Sequence, residues 1–499
     1  MTPAGVSKRD IAGVPWLWAA LSAVAVFALH LPSFAHRLLD GDEAIYGTIA
    51  ALMDGGGRLY AEGGVDNKPP GIFWVYAATF EAFGRYQMLA IHAVALLTMA
   101  ATCVLLFVIA RAMAGNRAAL LAALLYGVLT AAGNPRLLAA NTELFMTLPL
   151  TAAVLLMLRR QWFWSAALMV AAGAFKQVAV IEVLLLPIGL VLLEPRYGRL
   201  QATLLFVGGL AAGLAGGALL LGLTGSFPGF WRWTIETLVG YASANWTPGV
   251  LWVRAQDSIV PFVLDMIVVW IAAIAFSLRW KSIAAGERLA VAWFAVSAVG
   301  AIAGGHWSWH YFIQVMAPLV LLAALSIDRA LRTPMRRWVA AVAVIGIGAP
   351  ALGWAIFDLR ADPLTYDWSG SVAQHELVAA YIADHTAPGA HVFVWGNWPA
   401  LYVESDRLMS SRFPGFLRGF ARGSDLPPNN WDTAPDVWPA LQSDLEKDPP
   451  ALIVDTAAAG WSDFSKYPMS NYPVLAELVA AHYRPVATVD GVVIYSRVS

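Results

Sequence analysis

The chain has 499 residues, of which 59% are hydrophobic and 13% charged, and its mean hydropathy is +0.62. Such a chain is too apolar for a water-soluble globule and reads as an integral membrane protein. A formal net charge of -1, with no lysine-rich run, gives no electrostatic footprint for nucleic acid, and the lone Cys103 in an apolar run argues against disulfides, zinc fingers and thiol catalysis.

A membrane-spanning helix needs about 20 apolar residues. By that rule spans are expected near 14–36, 86–111, 117–133, 141–158, 161–175, 178–194, 200–223, 256–278, 287–304, 309–328 and 336–357, eleven in all. The first follows Lys8-Arg9 without a small-residue cleavage site and reads as a retained signal anchor. Alternate loops carry Arg111 and Arg117, Arg159 and Arg160, Arg196 and Arg199, Arg279, Lys281 and Arg288, then Arg329, Arg332, Arg336 and Arg337. Excess Lys/Arg in short loops marks the cytoplasmic side, so a cytoplasmic N-terminus and an extracytoplasmic C-terminus are expected, in the cytoplasmic (inner) membrane. The 22 tryptophans gather near span ends, as interfacial residues do.

The loops assigned outside hold Asp40, Asp42, Glu43, Asp66, Lys68, Arg136, Glu143, Lys176, the 227–254 stretch and His306. An ordinary interfacial charge explains any single one; the set is what an outward-facing cleft requires, because ionisable groups near the bilayer are costly and usually functional. The longest of these loops, 38–76, has Asp40, Asp42 and Glu43 within four positions. Adjacent acids on a helix diverge by about 100°, so one can act as a base while the other orients a neighbour or caps the helix. Gly41 and the run after it predict a short interfacial helix, whose dipole would also favour acids at its start. Lys68 precedes Pro69-Pro70 and a second helix, GIFWVYAATFEAF. Proline suits a first helical turn, and an ammonium beside free backbone donors makes an anion site suited to phosphate; a snorkelling lysine is the competing reading. Carboxylate, cation and helix end in one loop point to group transfer from a phosphorylated lipid.

His306 and His310, four residues apart, lack the remaining ligands of a zinc site. Trp231, Trp233, Trp246 and Trp252, with Arg232 and Arg254, could stack on sugar rings but read mainly as interfacial anchors. Beyond 358 the long apolar runs cease. A helix at 371–385, strands at 391–395, 451–455 and 491–496 and a helix at 474–482 predict a small α/β domain with no GxGxxG or P-loop pattern, hence no nucleotide site.

The order DE…Y then KPPG before an apolar helix, followed by NTELF (141–145), FKQ (175–177), HYFIQVMAP (310–318) and WGNWPALYVESDR (395–407), resembles the C-type glycosyltransferase superfamily. The bacterial branch similar to protein O-mannosyltransferases and lipid A aminoarabinose transferases fits best, and the resemblance covers nearly the whole chain. It implies a polytopic α-helical membrane domain, 1–358, with a catalytic first outer loop at 37–85, and a C-terminal extracytoplasmic α/β domain, 359–499. The implied reaction is an inverting transfer of a sugar from a polyprenyl-phosphate donor to a protein, lipid or polysaccharide acceptor outside the cytoplasmic membrane. Carried over by residue, Asp42 is the general base, Glu43 its supporting neighbour and Lys68 the lysine near the donor phosphate. Glu143, where relatives often have Asp, would position acceptor or base. Lys176 and His310 are candidate further phosphate contacts, with Tyr311, which also suits an interfacial aromatic, beside them. Asp42, Glu43 and Glu143 are oxygen ligands of the kind magnesium or manganese accepts, but lysines and helix donors could supply the same charge, so the metal question stays open. The competing readings are a lipid-linked glycan polymerase or ligase, a lipid or sugar transporter, and an adhesin or receptor built on the outer domain.

Overall fold

The computed structural model describes residues 16–131, 133–236, 246, 248–360, 375–415, 437–461 and 464–498. Lys8, Arg9, residues 237–245 and 247 of the 227–254 stretch, and the start of the predicted 371–385 helix lie outside them. The chain folds as two compact units: Met1–Ala35, His92–Leu220 and Leu238–Ala361 in one, and His36–Ile91, Leu221–Thr237 and Asp362–Ser499 in the other. Where the sequence places its boundary at 358, the second unit therefore also takes in the 37–85 loop.

In that unit, α1 (Gly41–Asp54) starts at Asp40, whose carboxylate accepts the Asp42 N–H, a capping arrangement that satisfies one orphan donor of the first turn. The chain then crosses itself: a Cβ on Gly63 would lie 2.5 Å from the Gly57 carbonyl carbon, so only glycine permits the approach. Helix α2 (Gly71–Phe83) begins behind Pro70. Tyr46 of α1 meets Phe73 and Tyr76 of α2 edge-on, each with ring centroids 5.7 Å apart.

The same unit contains a five-stranded sheet of β1 (His391–Trp395), β2 (Leu408–Met409), β3 (Leu452–Asp455), β4 (Tyr483–Val489) and β5 (Val492–Arg497), in the order β2-β1-β3-β5-β4. Strand β1 pairs parallel with β2 and β3; β5 runs antiparallel to β3 and β4. The sequence shows β1, β3, β5 and the helices His375–His385 and Pro473–His482, but not β2, β4 or the helices Ala400–Ser405 and Val437–Lys447. Pro485 disguises β4, which takes an edge place with a bulge between Pro485 and Ala487, where a missing N–H is tolerated. Phe393, Trp395, Leu441, Leu445, Ile453 and Tyr472 form the core, and Val65 from the loop before α2 is buried in it.

Each of the eleven predicted spans overlaps a helix, most of them in the other unit. Their continuity differs. The 14–36 helix ends at Leu29, where Pro32 enters a 3-10 turn; 178–194 divides into Ala179–Glu182 and Leu185–Leu193; and 256–278 is broken by a 78° bend between Pro248–Asp265 and Ile267–Ser277. Among the described residues five helices are long and apolar enough to cross a membrane, six with the bent pair as one, and the rest are shorter apolar helices. This unit includes α3 (Thr142–Leu158) and α4 (Ile313–Ala330). Helix α4 is central and almost wholly buried, whereas Arg336–Asp358 and Arg196–Leu223 are mostly exposed, and their apolar faces suit contact with lipid. Asp328 at its C-terminal end is buried and binds Arg117 and Arg332, and the nearby Glu287 binds Arg329.

Candidate active site

The 38–76 loop assembles around an ion pair. Lys68 Nζ lies 3.1 Å from Asp42 Oδ2, which also accepts the Tyr46 hydroxyl at 3.1 Å, one helical turn along α1. Burial, and secondarily the Asp42 carboxylate, push the Tyr46 phenol well above its ordinary pKa, so it stays a donor to Asp42 at neutral pH. The pair retains access to solvent, with side-chain exposures of 12% for Lys68 and 25% for Asp42. Glu43 diverges from its neighbour as the helical geometry requires: fully buried, it accepts the Leu39 N–H at 2.7 Å and fixes the chain running into α1.

The lysine's backbone is held as firmly. The buried Asp66 carboxylate accepts the Lys68 N–H at 2.9 Å, an Asx turn that sets the chain for Pro69-Pro70. The Lys68 carbonyl accepts the Tyr60 hydroxyl at 2.7 Å and the Thr234 hydroxyl at 3.3 Å. Tyr60 adopts φ +64°, a left-handed conformation costly for a bulky side chain, and its burial raises the phenol's pKa. The ammonium therefore projects from a fixed backbone, immediately before the N-terminus of α2, towards a carboxylate at the N-terminus of α1.

A second cluster forms within the helical unit. Glu143, fully buried in the first turn of α3, pairs directly with Lys176 Nζ and accepts the Thr142 hydroxyl at 2.8 Å. His310 Nε2 lies 3.9 Å from the same carboxylate, and Lys176 Nζ stands 3.2 Å from the centre of the Tyr311 ring, a cation–π contact. Phe145 and Phe175 stack beside it at 5.9 Å. The histidine pair does not share a helix, since His306 lies in irregular chain ahead of the 3-10 turn Trp309–Phe312.

Residues 67–218 match the family model of the dolichyl-phosphate-mannose-protein mannosyltransferases. Across 97% of this chain and 99% of the other, the fold superposes on ArnT from Cupriavidus metallidurans bound to undecaprenyl phosphate, with a TM-score of 0.65 at 16% identity. The apo form of that protein gives 0.60 at 16% identity over 98% of each chain. This is a C-type glycosyltransferase fold. The Archaeoglobus fulgidus oligosaccharyltransferase in its apo form shares it, with a TM-score of 0.60 at 11% identity over 97% of this chain and 74% of that one. No curated protein sequence matches the chain.

On this C-type fold the seven residues singled out in the sequence fall into two groups: Asp42, Glu43 and Lys68 in one unit, and Glu143, Lys176, His310 and Tyr311 in the other. Among the described residues no three His, Cys, Asp or Glu side chains gather as ligands for a metal ion, and the positive partners of Asp42 and Glu143 are lysines. Tyr46 and Tyr60 are site residues to which sequence reasoning gave no role, and Asp66 entered it only as one of the outer-loop charges. Tyr46 stands four residues after Asp42, a spacing that makes helical neighbours, and Asp66 stands two before Lys68, the Asx-turn spacing. Tyr46→Phe removes a donor to a charged acceptor, a bond worth about 1.5–3 kcal/mol. Turnover is expected to fall roughly tenfold with the donor KM unchanged, read by steady-state kinetics; a changed KM at constant kcat would place Tyr46 on the donor instead.

Proposed function

We propose that the chain is a membrane glycosyltransferase that moves a sugar from a polyprenyl-phosphate donor to an acceptor on the outer face of the cytoplasmic membrane, with inversion. The observation that carries this reading is the Asp42–Lys68 pair, a base and a cation 3.1 Å apart at two adjoining helix starts. A hydroxyl is a poor nucleophile and needs a carboxylate to take its proton as it attacks, and a departing phosphate needs positive charge where its own charge grows. Donor binding draws Lys68 Nζ to the phosphate and releases the Asp42 carboxylate. The acceptor oxygen then bonds to the anomeric carbon as the bond from that carbon to the phosphate oxygen breaks. Its proton passes to Asp42, and the electron pair of the broken bond stays on the lipid phosphate beside Lys68. A single displacement of this kind inverts the anomeric centre and needs no covalent enzyme intermediate.

Glu43 and Asp40 hold Asp42 in place, and Tyr46 steadies its carboxylate. In the helical unit, Lys176 and His310 are proposed as further contacts for lipid-linked phosphate, with Glu143 and Tyr311 fixing the Lys176 ammonium. The arginine-bearing loops favour a cytoplasmic N-terminus and an extracytoplasmic C-terminal domain. The acceptor classes are a protein, a lipid or a polysaccharide. Likeness to an oligosaccharyltransferase supports the second reading, a transferase or ligase using a lipid-linked oligosaccharide.

The test is release of polyprenyl phosphate by the purified protein from single-sugar and oligosaccharide donors, with the anomeric configuration of the product determined by NMR. Lys68→Ala is expected to raise the donor KM about tenfold, which is about 1.4 kcal/mol. Normal donor binding with turnover alone lost would remove the ground-state phosphate contact from Lys68.

A further inference from the structure

We infer that Arg412 and Asp444, in the C-terminal part of the chain, are positioning residues for Lys68, anchoring from a distance the loop that presents its ammonium. The functional half of this inference rests on the reading of Lys68 as the donor-phosphate cation; the structural half does not. Arg412 follows β2, and its side chain forks onto Asp444 of the helix Val437–Lys447, with Nη2 2.7 Å from Oδ1 and Nε 2.9 Å from Oδ2. Its backbone N–H also donates to Asp444 Oδ2 at 2.9 Å. A bidentate guanidinium–carboxylate pair is planar and directional, so the peptide at Arg412 is locked by its own side chain.

That locked peptide meets the site loop directly. The Arg412 carbonyl accepts the Val65 N–H at 2.9 Å, and the Val65 side chain, 1% exposed, sits in the core with Phe393, Trp395 and Phe413. The next residue is Asp66, whose carboxylate fixes the Lys68 N–H, and two prolines follow. Between Arg412 and Lys68 the chain is held by the peptide hydrogen bond, the buried valine and the Asx turn, and Pro69 restricts the backbone of Lys68 itself. Tyr60 and Thr234 still hold the Lys68 carbonyl when the Arg412 anchor is lost. Loosening should therefore displace the ammonium without unfolding the unit.

The experiment uses the full chain in detergent, with two readouts for Asp444→Ala, Asp444→Asn and Arg412→Lys. The first is the rate at which an amine-reactive reagent modifies Lys68, followed by mass spectrometry; the second is the donor KM and kcat. Lys68 labelling is expected to rise severalfold in Asp444→Ala and less in the two conservative variants, while Lys466 keeps its wild-type rate. The donor KM should rise about tenfold with kcat little changed. Asp406→Asn, which breaks the exposed Arg37–Asp406 bridge of the same unit, is expected to move neither readout. Unchanged Lys68 labelling in folded Asp444 variants would overturn the inference, as would an equal rise at Lys466 or in Asp406→Asn. If Asp444→Ala does not fold, Asp444→Asn and Arg412→Lys decide by the same readouts. Faster labelling with an unchanged donor KM would keep the anchoring and refute the donor role of Lys68.

Discussion

Asp42→Asn is expected to lower the transfer kcat by about 10²–10⁴-fold, the range lost when a positioned general base is removed. The substitution is nearly isosteric: the amide oxygen of the new side chain still accepts the Tyr46 hydroxyl, and the cap of α1 is made by Asp40, not by residue 42. Loss of a negative charge in the first turn costs α1 about 0.3–1 kcal/mol through the helix dipole, too little to unfold the unit. Kinetics of polyprenyl phosphate release, paired with a melting curve, separate the two effects. A folded Asp42→Asn protein turning over near the wild-type rate would end the assignment of Asp42 as the base.

Lys176→Met is expected to destabilise the helical unit by about 3–5 kcal/mol, because removing one member of a buried pair leaves an uncompensated charge. Glu143 is fully buried, and the Thr142 hydroxyl at 2.8 Å is a neutral partner that replaces only part of an ammonium. His310, 3.9 Å away, offers charge only when protonated. The double variant Lys176→Met with Glu143→Gln removes the stranded charge and should recover most of the loss, since buried ion pairs contribute little net stability against neutral replacements. Thermal melting of the three proteins in one detergent checks this. A single Lys176→Met protein melting with the wild type would mean that the Lys176–Glu143 contact does not compensate a charged carboxylate.

Much of the site was legible because its local chemistry is explicit. Gly41 with three acids announces the start of α1, and Lys68-Pro69-Pro70 announces α2, so both helices lie where the sequence placed them. The pattern Asp40-Gly-Asp-Glu43 also carries a capping signal, an N-cap acid followed three residues later by Glu; in the fold Glu43 reaches one residue further back, to the Leu39 N–H, while Asp40 caps the Asp42 N–H. What stayed hidden is long-range. Asp42 and Lys68 are 26 residues apart, and their side chains meet only because α1 and α2 pack through Tyr46, Phe73 and Tyr76. The grouping of 36–91 with the C-terminal sheet depends on contacts such as Val65 with Arg412, across more than 340 positions, for which no local pattern exists. One helix break was equally silent: the 78° bend at Met266 has neither glycine nor proline at the break, where Asp265 accepts the Trp354 indole N–H at 2.9 Å.

The most direct test of the account is an experimental structure of the full chain with polyprenyl phosphate bound. The account predicts the phosphate about 3 Å from Lys68 Nζ, with the Lys68–Asp42 pair opened and the Asp42 carboxylate facing the acceptor side. Phosphate bound away from this loop, with Lys68 still 3.1 Å from Asp42, would contradict it.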